Sequence, residues 1–211
     1  PVRAILNRAG LNNVTVVPEQ EMPDGNFPTA PFPNPEIRQS FERAMKLAET
    51  VKADLLLATD PDCDRVGIAV RDGEEYKLMS GNEVGALLLD YILSRRSEQG
   101  SLPKNPVVIK TIVTTGIASA IARDYGCTVL NLLTGFKFIG EQIGILEKKN
   151  QENRFVFGFE ESYGYLAGSY VRDKDAVVAS MLIAEMVAYY LKQGKTLLEV
   201  MNGIYEKYGY Y

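Results

Sequence analysis

Apolar residues recur at helical spacing through Ile37, Phe41, Ala44, Ala48 and Val51, which predicts a helix opened by Asn34-Pro35. Upstream, Pro1 and Gly10 bracket a helix over Val2 to Ala9, and the β-branched run Val14 to Val17 predicts a strand. Between them and the helix lies Pro18 to Pro35, a loop that holds six of the ten prolines. The continuous apolar run Leu55 to Ala58 predicts a buried strand, followed by strands at Val66 to Val70 and Tyr76 to Met79. At Gly81-Asn82 the alternation restarts, and a domain junction is placed there. Helices are expected over Glu83 to Leu93, Ile117 to Tyr125, Phe136 to Leu146, Lys174 to Leu191 and Leu197 to Tyr208. Strands are expected at Val107 to Ile112, Cys127 to Leu132 and Phe155 to Phe159. Strand and helix in turn predict an α/β layered fold, with mostly parallel sheets covered on both faces.

Composition narrows the chemistry. Of 211 residues, 46% are apolar and 24% charged, which excludes disorder, collagen-like repeats and disulfide scaffolds. Lys and Arg total 23 against 27 Asp and Glu, a net charge of -4, which gives no support for a nucleic-acid surface. There is no histidine, so serine-hydrolase triads, HExxH zinc sites and histidine phosphotransfer are excluded in their usual forms. Cys63 and Cys127 stand far apart, which indicates no zinc site and a reducing, cytoplasmic setting. The longest apolar stretch, Ala176 to Leu191, is interrupted by Ser180 and Glu185 and is too short and polar to span a bilayer. No charged-then-apolar leader opens the chain, so a soluble protein with no membrane partner is expected.

Four segments carry candidate chemistry. The strongest is Thr59-Asp60-Pro61-Asp62-Cys63-Asp64-Arg65, directly after a buried strand. Three carboxylates at alternating positions converge if the loop curls, and hard oxygen donors select Mg2+, Ca2+ or Mn2+. An EF-hand reading fails, because it would need Gly where Arg65 stands and Glu where Arg71 stands. A haloacid-dehalogenase-type phosphatase is a weak match, since it would put Thr or Val at the place of Asp64. A nucleotide-sugar transferase with an Asp-x-Asp metal site stays open on this segment. The second segment, Gly158-Phe159-Glu160-Glu161-Ser162-Tyr163-Gly164, offers carboxylates and a hydroxyl suited to sugar hydroxyls, although an acidic capping loop would read the same. The third, Thr134-Gly135-Phe136-Lys137, opens a helix where free N–H groups favour an anion. The fourth, Arg172-Asp173-Lys174-Asp175, places positive groups near a helix start.

Taken together, these segments resemble the α-D-phosphohexomutase superfamily. The likeness extends through Glu19-Gln20, Phe27-Pro28-Thr29, Pro33-Asn34-Pro35-Glu36 and Ala53 to Arg65, which are similar to its second domain. Gly81-Asn82-Glu83-Val84-Gly85 and the last three segments are similar to its third. The branch resembled includes phosphoglucomutases, phosphopentomutases and glucose 1,6-bisphosphate synthases. The resemblance implies two three-layer α/β/α domains with mixed, mostly parallel sheets, over residues 1–79 and 80–211. It implies Asp60, Asp62 and Asp64 as Mg2+ ligands, with Arg65 steadying their loop or touching substrate. Lys174 is implied as an acid/base group or phosphate contact. Thr134, Gly135, Lys137, Glu160, Ser162 and Arg172 are implied to meet the phosphosugar, glucose 1-phosphate or glucose 6-phosphate. The family loop more often has Gly where Pro61 and Cys63 stand. The family's Thr-Ala-Ser-His-Asn-Pro serine loop cannot occur without His, and its Arg-x-Ser-Gly-Thr clamp is missing. The expectation is a central fragment of a Mg-dependent mutase working through a phosphoserine and a sugar bisphosphate, inactive alone, whose second half folds on its own core. The rival readings are a metal-dependent sugar phosphatase or nucleotide-sugar transferase, and a non-catalytic phosphosugar-binding module.

Overall fold

A computed structural model describes residues 1–210; Tyr211, the last residue of the expected second domain, lies outside the described residues. Helix α1 spans Val2–Arg8 and closes into Gly10, whose φ of 84° suits glycine. The expected strand at Val14 to Val17 does not form. Its residues lie between α1 and a 3-10 turn at Pro18–Gln20 and meet no partner strand. β-branched composition favours a strand only where a ladder is on offer.

The helix expected at Asn34-Pro35 starts later, with a 3-10 turn at Arg38–Phe41 leading into α2, Glu42–Val51. Asn34 does make a cap-like bond, its Oδ1 accepting from the Glu36 N–H at 2.9 Å. Pro35 is buried against Gly67, where a Cβ would run into the Pro35 carbonyl. The close approach of the two backbones therefore requires glycine there. Gly67→Ala is expected to lower stability by about 1–3 kcal/mol, seen as a fall of roughly 2–4 °C in melting temperature per kcal/mol. An unchanged melting curve would show that Pro35 does not sit against this strand.

Strands β1 (Leu55–Thr59), β2 (Val66–Asp72) and β3 (Glu75–Met79) form an antiparallel meander in that order. The parallel pairing expected from the sequence is confined to the other sheet. Alternation along β2 sends Val66, Ile68 and Val70 to one face and Gly67 and Ala69 to the other. Ala69 joins Phe41, Ala48, Leu56 and Tyr76 in a small core beneath α2. The Tyr76 hydroxyl donates to the Ala53 carbonyl at 2.6 Å.

Helix α3, Gly81–Glu98, begins on a capping box between Ser80 and Glu83 and is buried along most of its length. After it come β4 (Val107–Thr111), α4 (Ile117–Asp124), β5 (Thr128–Leu132), α5 (Phe136–Glu147), β6 (Phe155–Glu160) and β7 (Gly164–Leu166). The sheet order is β5-β4-β6-β7, with β4 parallel to both neighbours and β7 antiparallel to β6. Val107, Ile109 and Phe155 pack on Phe136, Ile139 and Ile143 of α5. On the other face Val108, Phe157 and Phe159 meet α3 and α4. Helices α6 (Ala176–Leu191) and α7 (Leu197–Tyr208) complete the layer; Asp175 caps α6, so that helix starts just after Lys174.

The apolar core does not divide at the expected junction. Val66, Ile68 and Val70 of β2 belong to the same cluster as Leu87, Leu88, Ile183 and Met201 of α3, α6 and α7. Helix α1 also packs on α6. Among the described residues, no helix is long and apolar enough to cross a membrane.

Candidate metal and sugar site

The acidic loop links two antiparallel strands and is organised by its own first aspartate. Asp60 is 3% exposed. Its Oδ1 accepts from the N–H groups of Asp64 (3.1 Å) and Arg65 (3.0 Å), and its Oδ2 accepts from Arg65 Nε at 2.7 Å. The Cys63 N–H donates to the Asp60 carbonyl at 3.1 Å, and Cys63 takes a left-handed φ of 59°. A side chain at such a φ costs about 1–3 kcal/mol. The curl works as the alternating spacing predicts: one carboxylate oxygen from each of Asp60, Asp62 and Asp64 lies within 4.8 Å of the others. Asp62 is exposed and Asp64 half-buried.

The second half of the chain seals this loop. The Val66 N–H donates to the Tyr163 carbonyl at 3.2 Å, and Arg65 forms a β-bridge with Gly164. The Ala176 N–H donates to the Cys63 carbonyl at 3.2 Å. Lys174 Nζ reaches Asp64 Oδ2 at 2.5 Å. A Cβ at Gly164 would press on the Lys174 stem, so that glycine gives the lysine its path. Glu160, at the end of β6, is buried, and its Oε1 accepts from the Gly135 N–H at 2.7 Å.

Burial pushes the Asp60 carboxyl up, but the Arg65 hydrogen bonds outweigh it and hold the group below the usual range. Burial raises Asp64, and the neighbouring Asp60 adds to this against the pull of Lys174. Burial works against the Lys174 ammonium, but the Asp64 contact outweighs it and raises that group. Burial raises Glu160, partly opposed by the Gly135 N–H and by Lys174. Arg65 and Lys174 thus meet part of the charge on the three aspartates. The donor set, all carboxylate oxygen, fits a small hard cation such as Mg2+.

The structure therefore gathers Asp60, Asp62, Asp64, Arg65, Lys174, Glu160 and Gly135. Ser162 is half-buried, while Thr134 and Lys137 are exposed on the neighbouring loop, with Lys137 Nζ 5.1 Å from the Phe138 ring. Arg172 is engaged elsewhere: it pairs with Glu147 at 2.5 Å and donates to the Ser169 carbonyl at 2.7 Å. Two further acidic residues stand here: Glu36, which the sequence reading left without a role, and Glu161, which it grouped with Glu160 as a carboxylate suited to sugar hydroxyls. Glu36 lies 3.3 Å from Arg65, and Glu161 faces the end of β4. No spacing in the sequence marks the pairing of Glu36 with Arg65 or of Glu161 with Thr111, because those partners lie on distant segments.

Residues 1–73 match the phosphoglucomutase/phosphomannomutase alpha/beta/alpha domain II, and residues 80–208 match alpha/beta/alpha domain III. A phosphoglucomutase of Staphylococcus aureus (strain USA300) is 38% identical over 209 residues, 99% of this chain. The chain spans 37% of that relative's length. A phosphoglucomutase/phosphomannomutase family protein from Burkholderia thailandensis superposes with a TM-score of 0.64 at 18% identity, over 86% of this chain and 35% of the other. Parafusin, a phosphoglucomutase from Paramecium, gives a TM-score of 0.62 at 20% identity, over 84% and 30%. At these identities the two structures speak to fold alone. The matches to both domain types, together with the relative covering nearly the whole chain, show that this protein belongs to the phosphoglucomutase/phosphomannomutase family and carries its alpha/beta/alpha domains II and III.

Proposed function

We propose that this chain is the metal- and sugar-binding part of a phosphosugar mutase. That enzyme would interconvert a sugar 1-phosphate and its 6-phosphate (or 5-phosphate) through a phosphoserine and a sugar bisphosphate. The observation that carries the reading is the convergence of three aspartates with Lys174 and Glu160, drawn from both matched segments. Mg2+ held by Asp60, Asp62 and Asp64 would supply Lewis-acid stabilisation of phosphoryl charge. Arg65 steadies those ligands through Asp60. Lys174 supplies an ammonium as a phosphate contact or acid/base group beside the reacting hydroxyl. Glu160 and Ser162 accept and donate to sugar hydroxyls, and Thr134, Gly135 and Lys137 line the adjoining loop. For Arg172 to reach substrate it must leave Glu147, an exposed pair whose loss costs about 0–1 kcal/mol. Cys63 and Cys127 are both free thiols, which agrees with a cytoplasmic setting.

Glu160→Gln tests the sugar reading. Glutamine keeps an oxygen for the Gly135 N–H and removes only the charge. Binding of glucose 6-phosphate to the chain, read by calorimetry, is expected to weaken about tenfold, the scale of a hydrogen bond to a charged group. Mg2+ affinity should stay as it was, and in a longer active protein KM should rise while kcat falls. Sugar phosphate binding equal to that of the parent would return this segment to an acidic capping loop.

A further inference from the structure

The end of β4 holds polar side chains where the surrounding core is apolar. Lys110, Thr111 and Thr114 are 4%, 0% and 3% exposed. Lys110 Nζ donates to the carbonyls of Thr111 (2.9 Å) and Thr114 (2.8 Å) and lies 3.3 Å from Asn131 Oδ1. It makes no direct ion pair among the described residues, and Glu161 is the acidic group whose charge it feels. The two threonine hydroxyls lie 2.7 Å apart. Both face one carboxylate oxygen, Glu161 Oε2, at 3.1 Å from Thr111 and 3.4 Å from Thr114. Burying so many polar groups is costly unless each is satisfied, and together they satisfy one another.

Glu160 ends β6 and Glu161 opens the turn that follows it, and their side chains go to different partners. Glu160 goes to the Gly135 loop and Glu161 to the β4 turn. The segment is also confined on its backbone side, since a Cβ at Gly81 would run into the Glu161 carbonyl. Two residues on, Tyr163 takes a left-handed φ of 67°, a strained conformation that persists only where neighbours impose it.

We propose that Glu161, anchored on Thr111 and Thr114 beside the buried Lys110, is a positioning residue that fixes the backbone presenting Glu160 and Ser162 to the sugar. This rests on the sugar reading of that loop. Glu161 touches no substrate; it sets the angle and distance at which its neighbours do, and small misplacements of such groups are costly.

The test measures glucose 6-phosphate affinity of the full chain by calorimetry, with melting temperature and Mg2+ affinity recorded alongside. Glu161→Ala is expected to weaken sugar phosphate binding by about tenfold at unchanged Mg2+ affinity. Glu161→Gln keeps an oxygen for the threonine hydroxyls and should recover affinity to within about threefold of the parent. Thr114→Val, which removes one anchor at nearly constant volume, should act in the same direction should the alanine variant fail to fold. The decisive comparison is the double variant Glu160→Gln with Glu161→Ala, expected to lose less affinity than the product of the two single losses, because Glu161 acts through Glu160 and Ser162 and makes no contact of its own. Strictly additive losses, or parent-like binding by both Glu161→Ala and Thr114→Val while Glu160→Gln is impaired, would overturn the positioning role and leave the sugar reading standing. Parent-like binding by Glu160→Gln would overturn both.

Discussion

Asp62→Asn is expected to weaken Mg2+ binding by at least about tenfold, because divalent affinity follows the number of charged oxygen ligands. The melting temperature should stay where it was. The contrast with its neighbours makes this the clean substitution. Asp60 holds two backbone N–H groups and the Arg65 side chain, and Asp64 pairs with Lys174, so altering either one rearranges the loop as well as the ligand set. The Asp62 side chain is exposed and makes no hydrogen bond or ion pair among the described residues. Titration calorimetry on the chain reads the affinity directly. In a longer protein with turnover, the same change should cost orders of magnitude in rate, since charge on the transferring phosphoryl group would lose its partner. Equal Mg2+ affinity in parent and variant would remove Asp62 from the ligand set.

The second large effect concerns the core. A chain begun at Ser80 is expected to lose a sharp thermal transition, or to melt more than about 10 °C below the full chain. The cut would strip Val66, Ile68 and Val70 from the cluster they share with α3, α6 and α7, and α1 from its seat on α6. Three buried side chains at roughly 1.5–3 kcal/mol each are comparable with the whole stability of an ordinary domain. Circular dichroism melts of the two chains would decide it. If the shorter chain melted as sharply and as high, its core would be independent of β2, as the sequence alone suggested.

Much of the architecture was legible. The apolar runs at Leu55 and Val107 and the periodic segments at Phe136 and Leu197 lie in strands and helices as expected. Strand direction was misjudged in the first sheet, although the information was present. Only a short loop separates β1 from β2, and two residues separate β2 from β3, too few for the dozen or more that a parallel crossover needs. β7, at three residues, is too short to show a pattern. The Val14 to Val17 run shows the opposite failure, a good local signal with no partner. Within the site, the convergence of Asp60, Asp62 and Asp64 could be read from their spacing. The approach of Lys174 and the outward turn of Arg172 could not, because each depends on where separate loops come to rest in space.

That last dependence has a kinetic side. Lys174 and Asp64 are half the chain apart, and so, nearly, are Gly164 and Arg65. Closing so long a loop costs entropy before any contact repays it, and contacts of this range slow folding. During synthesis the three aspartates therefore emerge, repelling one another in water, well before the segment that will seal them. The hairpin of β1 and β2 can pair at once from local contacts alone. The contacts that seal the loop thus carry the entropic cost of long range, whereas the bonds from Asp60 that curl the loop are local and cost far less.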